Sequence, residues 1–240
     1  MIKISYILIS HNGLAFLQQL LPSLKQQMQR KDVEIILVDN GSTDGTTKYI
    51  STQYVSIQLI PLSDNKGVAY ARNRALEKAK GQYLFILDND TIVNDIAVEG
   101  MEKHLDTHTK TGLVACQLQD LNGSIQNTYL PYPGILVKLA RLFNVPFPSM
   151  QPIYVIGACQ MIRRKAFEQV GFLDEAIFYG PEDCDFCLRL QDAGWSVEYL
   201  PQFTIIHACQ RITHHHIFSS LTREHIRGLI YFYNKHKRWW

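Results

Sequence analysis

No stretch of the 240 residues approaches the ~20 consecutive apolar residues that a membrane-crossing helix needs, so no transmembrane segment is expected. The opening MIKISYILISHN has one lysine, a short apolar run broken by Ser5, and then His11 and Asn12. It lacks the cleavage region of a secretory signal and reads as a first strand, so the domain is expected to face the cytosol. Cysteines are few and odd in number: Cys116, Cys159, Cys184, Cys187 and Cys209. In a chain without an export signal that argues against a disulfide framework and for free thiols. Cys184 and Cys187 have CxxC spacing but no second ligand pair, and their helical surroundings favour packing over zinc or redox chemistry. Excess charge is also missing. The formal net charge is +2, and no basic stretch is interleaved with aromatics, so a nucleic-acid partner is not expected. Neither GxGxxG nor GxxxxGK[ST] follows any strand, which removes the usual support for dinucleotide binding and P-loop phosphate transfer.

What is present is a chain with 46% apolar residues, enough for a sizeable core. Its first half alternates short apolar runs with stretches of helical period, as expected of strands buried on both faces of a parallel sheet. Strands are predicted at Ser5–Ile9, Ile35–Val38, Ile57–Ile60 and Tyr83–Leu87. Helices are predicted at Leu14–Gln29, bent at Pro22, and at Thr46–Gln53 and Val68–Lys80. Leu113–Leu118 opens another strand, and Pro131–Pro152 reads as a loop-rich insertion. Ile153–Arg163 reads as one strand, Arg164–Val170 as a short helix stopped at Gly171, and Cys184–Ala193 as a helix stopped at Gly194.

In such sheets ligands bind at the carboxyl edge of the strands. There Asp88 and Asp90 flank Asn89 after the strand YLFIL, and two like charges so close suit a hard cation such as Mn²⁺ or Mg²⁺; a solvated Asx turn is the alternative. Asp39, ending IILV, can accept hydrogen bonds from a base or sugar hydroxyl, or cap the next helix. Asn65, Lys66 and Gly67, with Arg72, bring donors that can hold a diphosphate, though a solvated helix face explains them as well. Glu182-Asp183 opens a helix whose N-terminus favours an ionised carboxylate, as a general base requires; an N-cap with an Asp185–Arg189 pair is the alternative. His207 closes the run FTIIH, where a neutral imidazole can complete a metal shell or serve structure alone.

Five ordered segments decide among these readings: VDNGSTD at Val38–Asp44, NKGVAYARN at Asn65–Asn73, LDND at Leu87–Asp90, GACQMIRRKAF at Gly157–Phe167, and GFLDEAIFYGPEDCDFCLRLQDAGW continuing through YLPQFTIIH. Together they resemble the successive motifs of family 2 glycosyltransferases, especially the rhamnosyltransferase-like branch. The resemblance implies an α/β fold of GT-A type, a mostly parallel Rossmann-like sheet flanked by helices. Residues 1–207 would form the transferase domain, with a nucleotide-binding half at about 1–112 and an acceptor half at about 113–207, followed by a loop and helical tail at 208–240. It also implies an inverting transfer of one sugar from a nucleotide-diphosphate sugar to a glycan or lipid-linked acceptor. Asp39 would contact the nucleoside, Asp88, Asp90 and His207 the metal, and Asp183, or Glu182 in its place, would be the base.

The QxxRW motif of processive synthases is missing, and single-sugar transfer is the better expectation. A nucleotidyltransferase would carry a glycine-rich basic loop after the first strand, where HNGLAF stands. A catalytically inactive sugar-nucleotide-binding module would have little use for Asp88, Asp90 and Asp183 together. The triplet His214-His215-His216 has no family counterpart and reads as part of a loop near the acceptor. In the tail, Ile217, Leu221, Leu229, Ile230, Phe232 and Tyr233 mix with Arg223, Arg227, Lys235, Lys237 and Arg238 before Trp239-Trp240. That mixture fits either peripheral attachment to the inner face of a membrane or a closing helix packed on the domain.

Overall fold

The computed structural model describes residues 1–142, 151–208 and 220–239. The histidine triplet, Cys209, Ile217, Trp240 and part of the expected insertion lie outside the described residues. The first half runs β1 (Ile4–Ser10), α1 (Leu14–Ser23), α2 (Lys25–Gln29), β2 (Val33–Asp39), α3 (Thr46–Gln53), β3 (Gln58–Pro61), α4 (Val68–Leu76) and β4 (Tyr83–Asp88). The bend expected at Pro22 is a break: Pro22 has no N–H to continue the ladder, the helix ends at Ser23, and Leu24 bridges to α2.

The second half runs β5 (Thr91–Ile92), α5 (Asp95–Thr107), β6 (Thr111–Gln119), β7 (Ile125–Gln126), β8 (Tyr129–Leu130), α6 (Ile135–Leu142), β9 (Tyr154–Val155), β10 (Cys159–Arg163), α7 (Arg164–Val170), α8 (Glu182–Asp192), β11 (Ser196–His207) and α9 (Ser220–His236). The single strand expected over Ile153–Arg163 is two. β9 pairs with β8 in a separate ribbon, β10 enters the main sheet, and Ile156-Gly157-Ala158 turns between them.

The main sheet has the order β3-β2-β1-β4-β10-β6-β11-β5, with β7 added beside β6. β1, β2, β3 and β4 are mutually parallel, as are β6 and β11, whereas β10 is antiparallel to both its neighbours. Alternation along β1 sends Tyr6 and Leu8 to one face, against Leu17, Leu20 and Leu21 of α1. Ile7 goes to the other face, which packs against Ala69, Ala71 and Ala75 of α4. Cys184 and Cys187 are buried in α8 among these side chains, and the four described cysteines are all free.

The tail is part of the fold. Phe232 is fully buried in α9 and stacks on Tyr132 at 5.6 Å between centroids, while Tyr233 donates its hydroxyl to the Pro133 carbonyl at 2.5 Å. Below them, Asp185 of α8 is fully buried. It meets Arg189 at 2.8 Å, Lys235 at 2.7 Å and His236 at 2.9 Å, so burial raises the cost of its charge but these partners hold its pKa below the ordinary value. Truncating a buried phenylalanine costs about 3–5 kcal/mol. Phe232→Ala is therefore expected to lower unfolding stability by about that amount in urea titration; a loss below about 1 kcal/mol would mean that α9 rides loosely on the domain.

Candidate active site

The carboxyl edge of the sheet gathers the polar loops that the sequence nominates. Asp39 is buried at the end of β2, accepting from Ser42 N–H at 3.0 Å and from the Thr47 hydroxyl. The next residue ties two loops together: Asn40 donates to Asn65 Oδ1 at 3.0 Å and accepts from Lys66 N–H at 2.9 Å, and Asn65 in turn accepts from Gly67 N–H at 3.0 Å. Gly67 has φ of +91°, and a Cβ there would meet the Phe178 carbonyl oxygen at 2.7 Å, so the entry into α4 requires glycine. Lys66 points its ammonium at Asp64, 2.9 Å away on the surface.

Arg72, expected to donate to a diphosphate, is committed to protein groups. It is 4% exposed and donates to Asp88 Oδ1 at 2.7 Å, to Glu182 Oε1 at 3.0 Å and to the Gly157 carbonyl at 3.0 Å. Burial works against its charge, but Asp88 and Glu182 more than compensate and raise its pKa. Gly157 lies so close that a Cβ would sit 2.6 Å from Arg72 Nη1, which explains the glycine between β9 and β10.

Asp88 and Asp90 follow β4, and His207 joins them because the end of β11 pairs with β5: His207 lies opposite Thr91, and Ala208 N–H donates to the Asp90 carbonyl at 2.8 Å. One oxygen each of Asp88 and Asp90 and one ring nitrogen of His207 lie within 4.8 Å of one another. Gln126 sets the imidazole. Its amide nitrogen donates to the His207 carbonyl at 2.7 Å, which turns its Oε1 toward His207 Nδ1 at 2.8 Å. Nδ1 therefore carries a proton, and Nε2 faces Asp90 Oδ1 at 3.3 Å; burial works against the imidazolium, but Asp90 and Asp88 outweigh it and raise the pKa of the ring. Two acceptors so placed require a proton or a cation between them. Burial pushes the Asp88 pKa up; Arg72 opposes this and Asp90 adds to it. Two oxygens and one neutral imidazole form a donor set that fits a divalent ion.

Asp183 and Glu182 begin α8 but differ in surroundings. Glu182 is 6% exposed with Oε1 held by Arg72. Asp183 is half-buried, accepts from Cys184 N–H at 2.7 Å and Gly157 N–H at 3.1 Å, and has its pKa pushed up to about 7 by burial and by the adjacent Glu182 charge. Asp183, Asp88, Arg72 and His207 line one cavity of about 300 Å³. Asp39, Asn65 and Lys66 are not among the residues lining it. Gln126 and the Gly157 N–H are the participants that sequence reasoning missed. Gln126 sits on a two-residue strand with no periodic signal, and a backbone donor has no sequence signature.

With this geometry in place, the comparisons are informative. Residues 5–171 match the model of Glycosyl transferase family 2, and the chain belongs to that family. It is 26% identical, across 93% of its length and 82% of the relative's, to the N-acetylglucosaminyl-diphospho-decaprenol L-rhamnosyltransferase of Mycobacterium tuberculosis. It is 35% identical, across 85% of its length and 64% of the relative's, to the uncharacterized glycosyltransferase YfnE of Bacillus subtilis. Among solved structures, S. aureus TarS 1–349 in complex with UDP superposes with a TM-score of 0.67 at 20% identity, over 85% of this chain and 60% of that one. A mannosyltransferase from Pyrobaculum calidifontis in complex with GDP-Man and Mn²⁺ superposes with a TM-score of 0.64 at 19% identity, over 87% and 58%. The fold is of GT-A type, and the chain spans about 60% of the length of these solved relatives.

The Arg72 cluster generates a prediction. Removing one partner of a buried ion pair costs about 3–5 kcal/mol because the other charge is left stranded. Arg72→Met is expected to destabilise the protein by that order, and adding Glu182→Gln to it is expected to recover part of the loss. Thermal melts of both single variants and the double variant check this, and additive losses would rule out the coupling.

Proposed function

We propose that this glycosyltransferase moves a single sugar from a nucleoside diphosphate sugar to an acceptor hydroxyl with inversion, and that Asp183 is its general base. The observation that carries this reading is the placement of Asp183 in the same cavity as Asp88 and His207, with a pKa of about 7. A base poised near the working pH combines a large ionised fraction with useful proton affinity. Glu182 serves less well, because its charge is already spent on Arg72. Asp183 removes the acceptor proton as the acceptor oxygen forms a bond to the anomeric carbon. The bond from that carbon to the diphosphate oxygen breaks on the far side, and the nucleoside diphosphate leaves.

Asp88, Asp90 and His207 would hold a divalent ion, with Gln126 keeping His207 in its ligating tautomer. When bound, the ion would neutralise charge on the departing diphosphate. The mixed oxygen and imidazole set favours Mn²⁺ over Mg²⁺, which prefers oxygen throughout. The complexes of solved relatives with UDP and with GDP-Man and Mn²⁺ support this class of donor. Asp39, Asn40 and the loop Asn65-Lys66-Gly67 form the nucleoside side of the site.

The experiment is a screen of nucleotide sugars for release of nucleoside diphosphate, with Mn²⁺ and with chelator. The wild type is expected to release it only with the metal. Asp183→Asn is expected to lower transfer by about 10²–10⁴-fold while donor affinity stays within about two-fold. In the wild type the acid limb of the pH profile should fall near pH 7. Stability must move in the opposite sense. A carboxyl raised from 3.8 to about 7 binds its proton more tightly in the folded state, so its stabilising contribution is lost as pH rises through that window. The melting advantage of Asp183→Asn at pH 8 should therefore shrink toward pH 5. No nucleotide release from any sugar, with metal binding intact, would leave an inactive binding module.

The tail supports a second element of the proposal, attachment to the inner face of a membrane carrying a glycan or lipid-linked acceptor. While Phe232 faces the core, the other side of α9 exposes Ile226, Ile230 and Tyr231 at 51%, 48% and 40%, beside exposed Arg223 and Arg227. Among the described residues no helix is long and apolar enough to cross a membrane, so contact would be at the surface. Ile226→Ser with Ile230→Ser is expected to abolish co-flotation with anionic liposomes at low salt without changing the melting temperature. Replacing Trp239 would be a poorer test, because its ring packs on Tyr233 at 5.3 Å. Failure of the intact chain to float would leave only the packed-helix role.

A further inference from the structure

Asp88 and Asp90 gather beside His207, but Asn89 between them reaches instead to the end of β1, where its amide nitrogen donates to Ser10 Oγ at 3.1 Å. Ser10 is 2% exposed, and its carbonyl accepts from Asn40 N–H at 2.7 Å. It thus joins the turn after β4, through its hydroxyl, to the turn after β2, through its backbone. The chain leaves room for this contact. Gly13 has φ of −116°, so no left-handed conformation explains a glycine there. A Cβ at Gly13 would collide with the Asn89 amide and lie 2.8 Å from Ser10 Oγ, so the seat of that amide requires the glycine.

The turn that carries the two carboxylates works against itself. With no cation between them, the Asp88 and Asp90 charges repel, and a turn free to rotate would let them separate. Its backbone is pinned on either side of Asn89. Asp88 N–H donates to the Ala158 carbonyl at 3.1 Å, the Thr91 hydroxyl donates to the Asp88 carbonyl at 2.8 Å, and Ala208 N–H donates to the Asp90 carbonyl at 2.8 Å. The Asn89 amide adds a hold on the middle of the turn, from an element that none of these bonds reaches. Binding groups work when held within about 0.5 Å of their productive geometry, a tolerance that a rocking turn would exceed.

We propose that Asn89 is a positioning residue of the metal site, anchoring on Ser10 so that Asp88 and Asp90 stand assembled for a divalent ion. The proposal rests on the reading that Asp88, Asp90 and His207 hold that ion. It gives the middle residue of LDND a task of its own, and it makes Ser10 and Gly13 supports of the site although neither belongs to the donor set.

The test titrates Mn²⁺ alone into the full chain and reads binding from the loss of the free ion's paramagnetic resonance. Wild type, Asn89→Ala, Ser10→Ala, the double variant and Asp90→Ala are compared, each first shown by thermal melt to be folded. Removing a partner that orients a metal ligand costs about 10–100-fold in affinity, and Asn89→Ala is expected to fall in that range. Ser10→Ala should weaken binding in the same direction. It leaves the turn's own sequence intact, so it reads the contact even if Asn89→Ala does not fold. The double variant should bind no more weakly than Asn89→Ala, because both changes remove one contact. A residue that serves the turn alone gives the opposite pattern, a lower melting temperature with unchanged Mn²⁺ affinity. That pattern in Asn89→Ala or Ser10→Ala, or additive losses in the double variant, overturns the proposal. If Asp90→Ala loses binding while Asn89→Ala keeps it, the metal site stands and only the role of Asn89 falls. Undiminished binding by Asp90→Ala, or no binding by the wild type, overturns the metal reading and the proposal with it.

Discussion

The guanidinium of Arg72 is the constraint on which the site depends. It emerges from α4, in the first half of the chain, and joins the end of β4 through Asp88 to the start of α8 through Glu182. A buried cluster of this kind adds little net stability over an apolar substitute, because desolvation offsets most of the Coulombic attraction. Its value lies in geometry. Each partner would be stranded without the others, so the carboxylates of two distant segments are held in one arrangement. Glycine at position 157 is a direct result, since that backbone must pass against the guanidinium and also offers its N–H to Asp183.

Around this cluster the fold separates two kinds of carboxylate by environment. Asp88 and Asp90 lie close to each other and to His207, an oxygen and imidazole set that fits a divalent cation. Asp183 is pushed toward its protonated form by burial and by the adjacent Glu182 charge, which outweigh its backbone donors and the Arg72 charge. The same side-chain chemistry is thus placed in two different electrostatic settings.

Much of this was legible in the sequence, for identifiable reasons. β1, β2 and β4 are nearly continuous apolar runs because both faces are covered, and α3 and α7 appear where helical period and Gly171 placed them. Asp88, Asp90 and Asp183 could be located because they follow a buried strand or open a helix, but a turn and a helix cap explained those positions as well, and only the ordered motifs chose between the readings. α5 was missed although its signals exist: Asn94 caps it by accepting from Ile96 N–H, and Ala97, Val98, Met101 and Leu105 form its buried stripe. Arg72 could be located but not understood, since its partners lie 16 and 110 residues away. The tail was ambiguous because one helix carries both a core face and an apolar exposed face, and composition averages the two.

The antiparallel strand β10 has a consequence for how the molecule is made. Among the described residues it is the strand that joins β4 to β6 in the main sheet, yet residues 159–163 leave the ribosome long after both. Until they arrive, β4 presents an unpaired row of backbone donors and acceptors, and an edge of that kind invites pairing with other chains. The sheet therefore crosses the boundary expected near residue 112, and the two sides share one continuous set of strands. A nascent chain stalled before Cys159 would be a natural client for chaperones that shield open sheet edges.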